Sequence, residues 1–286
     1  MDASKAKANL LKEDGNKCFQ NGNYQEAEAL YSKAIQKDST NAKFFTNRAM
    51  ARLKLEAWDN CIDDCLKSID LENDNMKGYY YLAQAQLAMH HPNEAYHSAL
   101  TAYEICIKTS NSSAGSVSSL VLQAKKEKWE AKEKDRIRRH SELLTELEDG
   151  LGHVAAYEKH SITARIKNGE ISQSDGEEEM KEVEDSTRRK IEELQNIFAI
   201  SDPKHLQRRE VPDYLIDGIS FAIMHDPVVT RTGQSYDRST LIEHLRRSST
   251  DPLTREPLRI EDCRTNIALK AACEQFLEEN GWAVDW

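Results

Sequence analysis

No apolar run in the 286-residue sequence approaches the ~20 residues that span a bilayer, and the stretch Met1 to Leu11 has no signal-peptide core. Excess positive charge is also missing: 39 Lys and Arg face 49 Asp and Glu, a formal net charge of −10. A net negative chain repels phosphate backbones, so general nucleic-acid binding is not expected, nor is membrane association. Paired cysteine knuckles are absent too. Of six cysteines only Cys61 and Cys65 are neighbours, and no second pair follows. Neither a four-ligand zinc site nor a secretory disulfide framework is therefore expected. The 39% hydrophobic and 31% charged content suffices for packed cores but is low for one large compact enzyme. At this length the chain should form about two domains, with thin helical layers or a solvated, charge-rich segment.

What is present begins with a repeat. At a shift of 34 residues the first third aligns with itself without gaps: Gly15, Ala49 and Ala83 share one column, Ala27, Cys61 and Ala95 another, and Ala34, Ser68 and Ala102 a third. Larger residues recur as Phe19, Leu53 and Leu87, as Tyr24, Trp58 and Pro92, and as Ile35 and Ile69. Small residues in fixed columns let two helices approach closely, and the large columns fill the space between them. Period and pattern resemble the tetratricopeptide repeat, a helix–turn–helix unit. Turns are expected at Asn21-Gly22-Asn23 and His91-Pro92-Asn93. Cys61 and Cys65 then serve as small packing residues. A stack of three repeats needs its end covered. A helix from about Ser118 to Lys134, facing inward with Leu120, Val121, Ala124 and Trp129, is expected to do so, after a loop at 111–116.

Stacked repeats form a concave groove lined by the first helix of each. Lys12, Asn16, Asn47 and Lys77 all fall on first helices, and Lys12 and Asn16, four apart, share a helix face. Two ammonium groups and two amides converging in a groove suit an extended, carboxylate-rich peptide. Taken singly, each is an ordinary solvated residue. As a set they resemble the carboxylate clamp of tetratricopeptide co-chaperones, which holds the C-terminal Glu-Glu-Val-Asp tail of heat-shock chaperones. That resemblance implies that the four residues grip the terminal Asp, with Tyr80 and Tyr81 as aromatic walls. The stretch 112–118 lacks the aromatic and acidic residues that such clamps commonly carry before the capping helix.

Residues 125–149 mix both charges at helical spacing, as a long solvated helix does. A turn is expected at Gly150 and Gly152, a second helix over 153–169, and a flexible acidic break over 170–185. Ile191, Leu194 and Phe198 give a short apolar stripe. So little apolar surface would gain from pairing with a second copy; the alternative is a spacer helix that pairs with nothing.

From about residue 209 the composition changes. Ile219 to Met224 alternates like a strand, and 228–236 suggests a hairpin turning at Arg231-Thr232-Gly233. Asp237 should cap a helix carrying Leu241, Ile242 and Leu245, and Asn266 a final helix to about Glu279. No Ser or Cys sits in a nucleophile motif, and His225 and His244 as bases are weaker readings than hydrogen-bonded histidines. The segments Met224-His225-Asp226-Pro227-Val228, Gly233-Gln234-Ser235-Tyr236-Asp237-Arg238 and Asp251-Pro252-Leu253-Thr254-Arg255-Glu256-Pro257-Leu258 closely resemble a U-box, a RING-like module in which hydrogen bonds and salt bridges replace zinc. The resemblance implies a ubiquitin ligase without a covalent intermediate. Ile219, Phe221 and Pro252 would form an apolar groove for a ubiquitin-conjugating enzyme, with Thr254 adding a contact and His244 flanking. Arg255 would be the cation that holds the donor ubiquitin.

The expected architecture is mainly α: a three-repeat solenoid with capping helix over 1–134, a charged helical hairpin or coiled coil over 135–206, and a small α+β U-box over 207–286. In that order the parts resemble the CHIP family, whose members ubiquitinate misfolded clients held by chaperones. The resemblance implies a homodimer, no cofactor, no metal, and a cytoplasmic or nuclear setting. The competing reading is a non-enzymatic co-chaperone scaffold.

Overall fold

The computed structural model describes residues 3–109, 111–201 and 209–286. It divides into two compact units, Met1–Glu130 with Val211–Trp286, and Ala131–Glu210. The expected boundary at 206/207 lies outside the described residues.

In the first unit six helices follow the repeat: α1 (Ala3–Gln20), α2 (Tyr24–Lys37), α3 (Ala42–Lys54), α4 (Trp58–Leu71), α5 (Met76–Ala88) and α6 (Pro92–Lys108). The second helices start at 24, 58 and 92, in step with the 34-residue period. Ala27, Cys61 and Ala95 are fully buried, as are Ala34, Ser68 and Ala102. A Cβ on Gly15 would lie 2.6 Å from the Tyr31 ring, so that column must stay smallest where Tyr31 fills the gap. Each turn within a repeat uses a left-handed residue at one position: Gly22 (φ 80°), Glu56 (φ 58°) and His90 (φ 60°). Only the first repeat spends a glycine there, so the other two carry local strain.

Repeats one and two are also joined by charge. Arg48 donates twice to Asp64, at 2.8 and 2.7 Å, and Arg52 donates to Asp64 at 2.9 Å and to Glu28 at 2.8 Å. Asp64 is 3% exposed. This network was not visible in the repeat pattern, because its members fall in no repeated column.

The capping helix differs from expectation at both ends. Helix α7 runs Ala114–Lys167, so it takes in Gly115 and Ser116 and passes through Gly150 and Gly152 without a turn. Leu120, Val121 and Ala124 pack on the third repeat as expected. Trp129 does not. It lies against Gly281, where a Cβ would come within 2.4 Å, and its Nε1 donates to the Glu279 carbonyl at 3.0 Å.

In the second unit α7 turns back into α8 (Gln173–Ser201), so the acidic stretch 170–185 is mostly helix rather than a flexible break. The reversal comes at Gly169 (φ 73°). Gly176 allows close approach, since a Cβ there would meet Ile166 at 2.4 Å. The acidic run finds cations: Arg165 donates to Glu179 at 2.7 Å, and Lys159 pairs with Glu184. Sequence alone could not supply this antiparallel register.

The C-terminal part holds a three-stranded antiparallel sheet ordered β2-β1-β3, with β1 Pro227–Val229, β2 Ser235–Asp237 and β3 Arg264–Thr265. Helices α9 (Arg238–Leu245) and α10 (Ile267–Glu279) are capped by Asp237 and Asn266 as expected. The hairpin is present, but Ile219 to Met224 is loop, joined to the fold by an isolated bridge between Ile216 and Ile223. The alternation failed because Phe221 adopts φ 59°, which no strand accepts.

Replacing Asp64 by Ala should leave Arg48 with no carboxylate and Arg52 with Glu28 alone, and destabilise the repeat domain by roughly 3–5 kcal/mol. Chemical unfolding followed by circular dichroism would check this; a loss below about 1 kcal/mol would show the network to be incidental.

Candidate functional site

Two sites emerge on the first unit. The first is a cavity of about 540 Å³ whose lining includes Lys12, Asn16, Asn47 and Lys77. All four residues expected at the clamp thus meet in one place. Asn16 is the hinge of the set: its Oδ1 accepts from the Tyr31 hydroxyl at 2.9 Å and from Asn47 Nδ2 at 3.1 Å. That fixes the Asn16 amide with its NH₂ outward, where it donates to Glu13 at 3.2 Å. Lys12 pairs with the same carboxylate. Glu13 is held below its ordinary pKa by the Lys12 hydrogen bond and charge and then by Asn16. One carboxylate held by an ammonium and an amide is the chemistry the cavity could offer an incoming acid. Asn75 shapes the far wall. It caps α5 by accepting from Gly78 N at 3.0 Å, and its Nδ2 donates to Ser68 at 2.6 Å and Thr46 at 2.9 Å, which sets the start of the helix bearing Lys77.

Tyr80 and Tyr81 are not in this lining. Tyr81 points into the packing between repeats two and three, its hydroxyl donating to Met50 Sδ at 3.0 Å, and burial pushes its pKa up to about 12. Tyr80 packs on the third-repeat core. The lining does include residues the sequence reading missed: Lys43, Glu72, Asp74, Ile105, Thr109 and Asn111 among them. Lys43 carried a legible signal, being one helical turn before Asn47.

The second site is a pair of loops in the C-terminal part. The first, about 217–226, presents Phe221, 75% exposed, with Ile219 half-buried beneath against Leu241 and Tyr236. The second, 250–257, presents Leu253, 67% exposed, beside half-buried Pro252, with Thr254 and Arg255 exposed. Arg255 adopts φ 64° and its amide donates to the Asp251 carbonyl at 3.1 Å. His244 does not face outward; its Nε2 lies 3.0 Å from the Thr250 carbonyl and braces the second loop.

Buried carboxylates hold both loops. Asp217 accepts from the amide and hydroxyl of Ser220 at 2.9 and 2.8 Å and from Thr240 at 2.9 Å. Asp251 accepts from the amides of Leu253 and Thr254 at 2.9 and 3.0 Å and from the Tyr236 hydroxyl at 3.0 Å. Tyr236 and its neighbour Asp237 on β2 thus reach one loop each, since the Asp237 amide donates to Asp217 at 3.0 Å. The sequence reading assigned Asp237 a capping role only and gave Asp217 and Asp251 none. Neither thiol of this part is activated: burial raises the pKa of Cys263, and pushes that of Cys273 up to about 11.

Comparison with known proteins covers both sites. The model of the U-box domain matches residues 211–282, that of the CHIP N-terminal tetratricopeptide repeat domain matches 124–208, and that of the TPR repeat matches 15–56. The E3 ubiquitin-protein ligase CHIP of Arabidopsis thaliana is 27% identical over 97% of this chain and 96% of its own length. The Ubiquitin conjugation factor E4 of Schizosaccharomyces pombe is 44% identical over 24% of this chain and 7% of its own length. The Hsp70/Hsp90 co-chaperone CNS1 of Saccharomyces cerevisiae is 27% identical over 59% of this chain and 46% of its own length.

Asp251 gives a pH test. Burial raises its pKa, but the amides of Thr254 and Leu253 and the hydroxyls of Tyr236 and Thr232 outweigh that and hold it below its ordinary 3.8. A carboxyl so depressed stabilises the fold above 3.8 and loses that contribution as pH falls through the folded value. Asp251→Asn should therefore cost roughly 1–3 kcal/mol at neutral pH and flatten the loss of stability below pH ~4. Urea unfolding of the full chain across pH, read on the C-terminal transition, measures both; an unchanged slope would assign the acid sensitivity to other groups.

Proposed function

We propose that the chain is a member of the CHIP family of U-box ubiquitin ligases and that it ubiquitinates misfolded clients presented by heat-shock chaperones, whose acidic C-terminal tails it holds. The observation that carries this reading is the meeting of Lys12, Asn16, Asn47 and Lys77 in one cavity, on the same compact unit that exposes Phe221, Leu253 and Arg255. An ammonium and two amides beside a second ammonium suit the paired carboxylates of a C-terminal Asp. The co-chaperone named among its relatives supports a chaperone tail as the source of that Asp.

In this proposal the U-box works by position. Ile219, Phe221 and Pro252 dock the conjugating enzyme, Thr254 adds a contact, and exposed Arg255, which has no ion-pair partner among the described residues, spans conjugating enzyme and ubiquitin. Restricting the thioester-linked donor lowers the entropic barrier to attack by a client lysine. The raised pKa values of Cys263 and Cys273 support transfer without a ubiquitin thioester on this chain. His244 acts through the second loop rather than by contact. Exposed Leu143, Leu147, Val154 and Tyr157 on α7 support a homodimer through the helical hairpin. The setting proposed with this function is the cytoplasm, with the nucleus second. The scaffold reading differs in one outcome, because a scaffold builds no chains.

Lys12→Ala should lower affinity for a peptide ending Glu-Glu-Val-Asp by at least tenfold while autoubiquitination with activating and conjugating enzymes continues at the parent rate. Arg255→Ala should do the reverse, leaving peptide affinity intact and cutting chain formation at least tenfold. Parent-level binding by Lys12→Ala would remove the clamp assignment, and a parent chain inactive with every conjugating enzyme would favour the scaffold.

A further inference from the structure

The clamp cavity holds one more cation than a C-terminal Asp requires. Lys12, with Asn16 and Asn47, and Lys77 account for the two carboxylates of that residue. Lys43 also lines the cavity and is exposed. It sits on α3 four residues before Asn47, so the two share a helix face about 6 Å apart along the axis. Its backbone amide donates to Asn41, and among the described residues its ammonium has no ion-pair partner. Lys12, by contrast, is already paired with Glu13.

An extended peptide rises about 3.3–3.6 Å per residue, and its side chains alternate between faces. The side chain two residues before the terminal acid therefore lies on the same face as that acid and about 7 Å upstream. A peptide laid along α3 with its terminal acid at Asn47 would bring that side chain to Lys43, about 6 Å along the axis. The residue three before the end points to the opposite face. Glu72 and Asp74 border the same cavity and would repel a carboxylate that strayed toward them, which sharpens the preference for one position.

Resting on the clamp reading above, we infer that Lys43 is a specificity-determining residue that reads a carboxylate two positions before the C-terminus of the bound tail. The preferred ligand class is then a free C-terminal peptide of the pattern acid–X–acid, with the acid next upstream contributing little through Lys43.

The test is a double-mutant cycle by fluorescence anisotropy on the full chain, using labelled peptides ending Glu-Glu-Val-Asp, Glu-Gln-Val-Asp and Gln-Glu-Val-Asp. Lys43→Ala should weaken the first and third roughly threefold to fivefold and leave the second within about 1.5-fold of the parent, as expected of an exposed ion pair. Lys43→Arg should retain the discrimination, and the difference should shrink at high salt. An equal loss on all three peptides, or a loss that follows the outer Glu, overturns the assignment. The C-terminal amide of the first peptide separates this from the clamp itself. If the parent binds acid and amide alike, the clamp reading fails and Lys43 with it; if it discriminates between them but Lys43→Ala changes nothing, only the Lys43 inference falls.

Discussion

The C-terminal domain hangs on one buried side chain. Asp237, 5% exposed, accepts from the amides of His225 and Asp226 at 2.7 and 2.9 Å through one oxygen, and from the amide and hydroxyl of Ser239 through the other. Its own amide donates to Asp217. A single carboxylate thereby fixes the end of the first loop, the start of α9 and the path of β2. A domain of this size buries little apolar surface, so directional bonds must set what packing leaves loose. Carboxylates that accept several N–H groups do so strongly, because charge-assisted bonds in a poorly solvated setting are worth about twice neutral ones. Loss of any one would leave donors unsatisfied in a core too small to compensate.

The arrangement also explains what the sequence could and could not tell. The repeat helices were legible because every 34 residues the same steric demand returns, and the small columns Ala27, Cys61 and Ala95 record it directly. The N-caps Asp237 and Asn266 were legible because capping is local. The strand expected at Ile219 to Met224 was not, since alternation is equally the mark of a loop whose inward residues pack and whose outward residue, Phe221, stands in solvent. Gly150 and Gly152 looked like punctuation, yet no close contact or turn depends on either. The flexible reading of 170–185 failed for another reason: its carboxylates are neutralised by Arg165 and Lys159 from the antiparallel helix, a pairing that exists only once the hairpin has closed.

At the clamp the division is similar. Residue types at helical spacing grouped Lys12, Asn16, Asn47 and Lys77, which line one cavity, because a groove lined by first helices follows from the repeat itself. The second tier was hidden. Tyr31, which looks like core, turns the Asn16 amide so that its NH₂ faces out, and Asn75, which looks like a cap, also ties Thr46 to Ser68. Tyr81 shows the converse error. An aromatic residue beside a recognised set was read as part of it, but the side chain is committed to the interior.

The two sites are also mechanically related. Tyr103 on α6 donates to Asp226 at 3.2 Å, and its ring meets the buried His225 edge-on at 5.1 Å. Leu122 of α7 packs into the U-box core, and Trp129 closes over Gly281. The same α6 sends Ile105 to the first cavity, and Thr109, which caps its end, also lines it. One helix therefore borders the cavity on one side and bonds to the U-box on the other, while Phe221 and Leu253 stay uncovered. A ligase of the proposed kind, which forms no bond to ubiquitin, would have only geometry with which to accelerate transfer. On the proposed function, holding the cavity and the two loops in one compact unit would turn an encounter between client and donor into a local search, at the effective concentration that this unit sets. Repeats stacked by steric period and a U-box stapled by aspartates thus solve one problem: each supplies a rigid surface, and their shared contacts keep the distance between them from being left to a flexible linker.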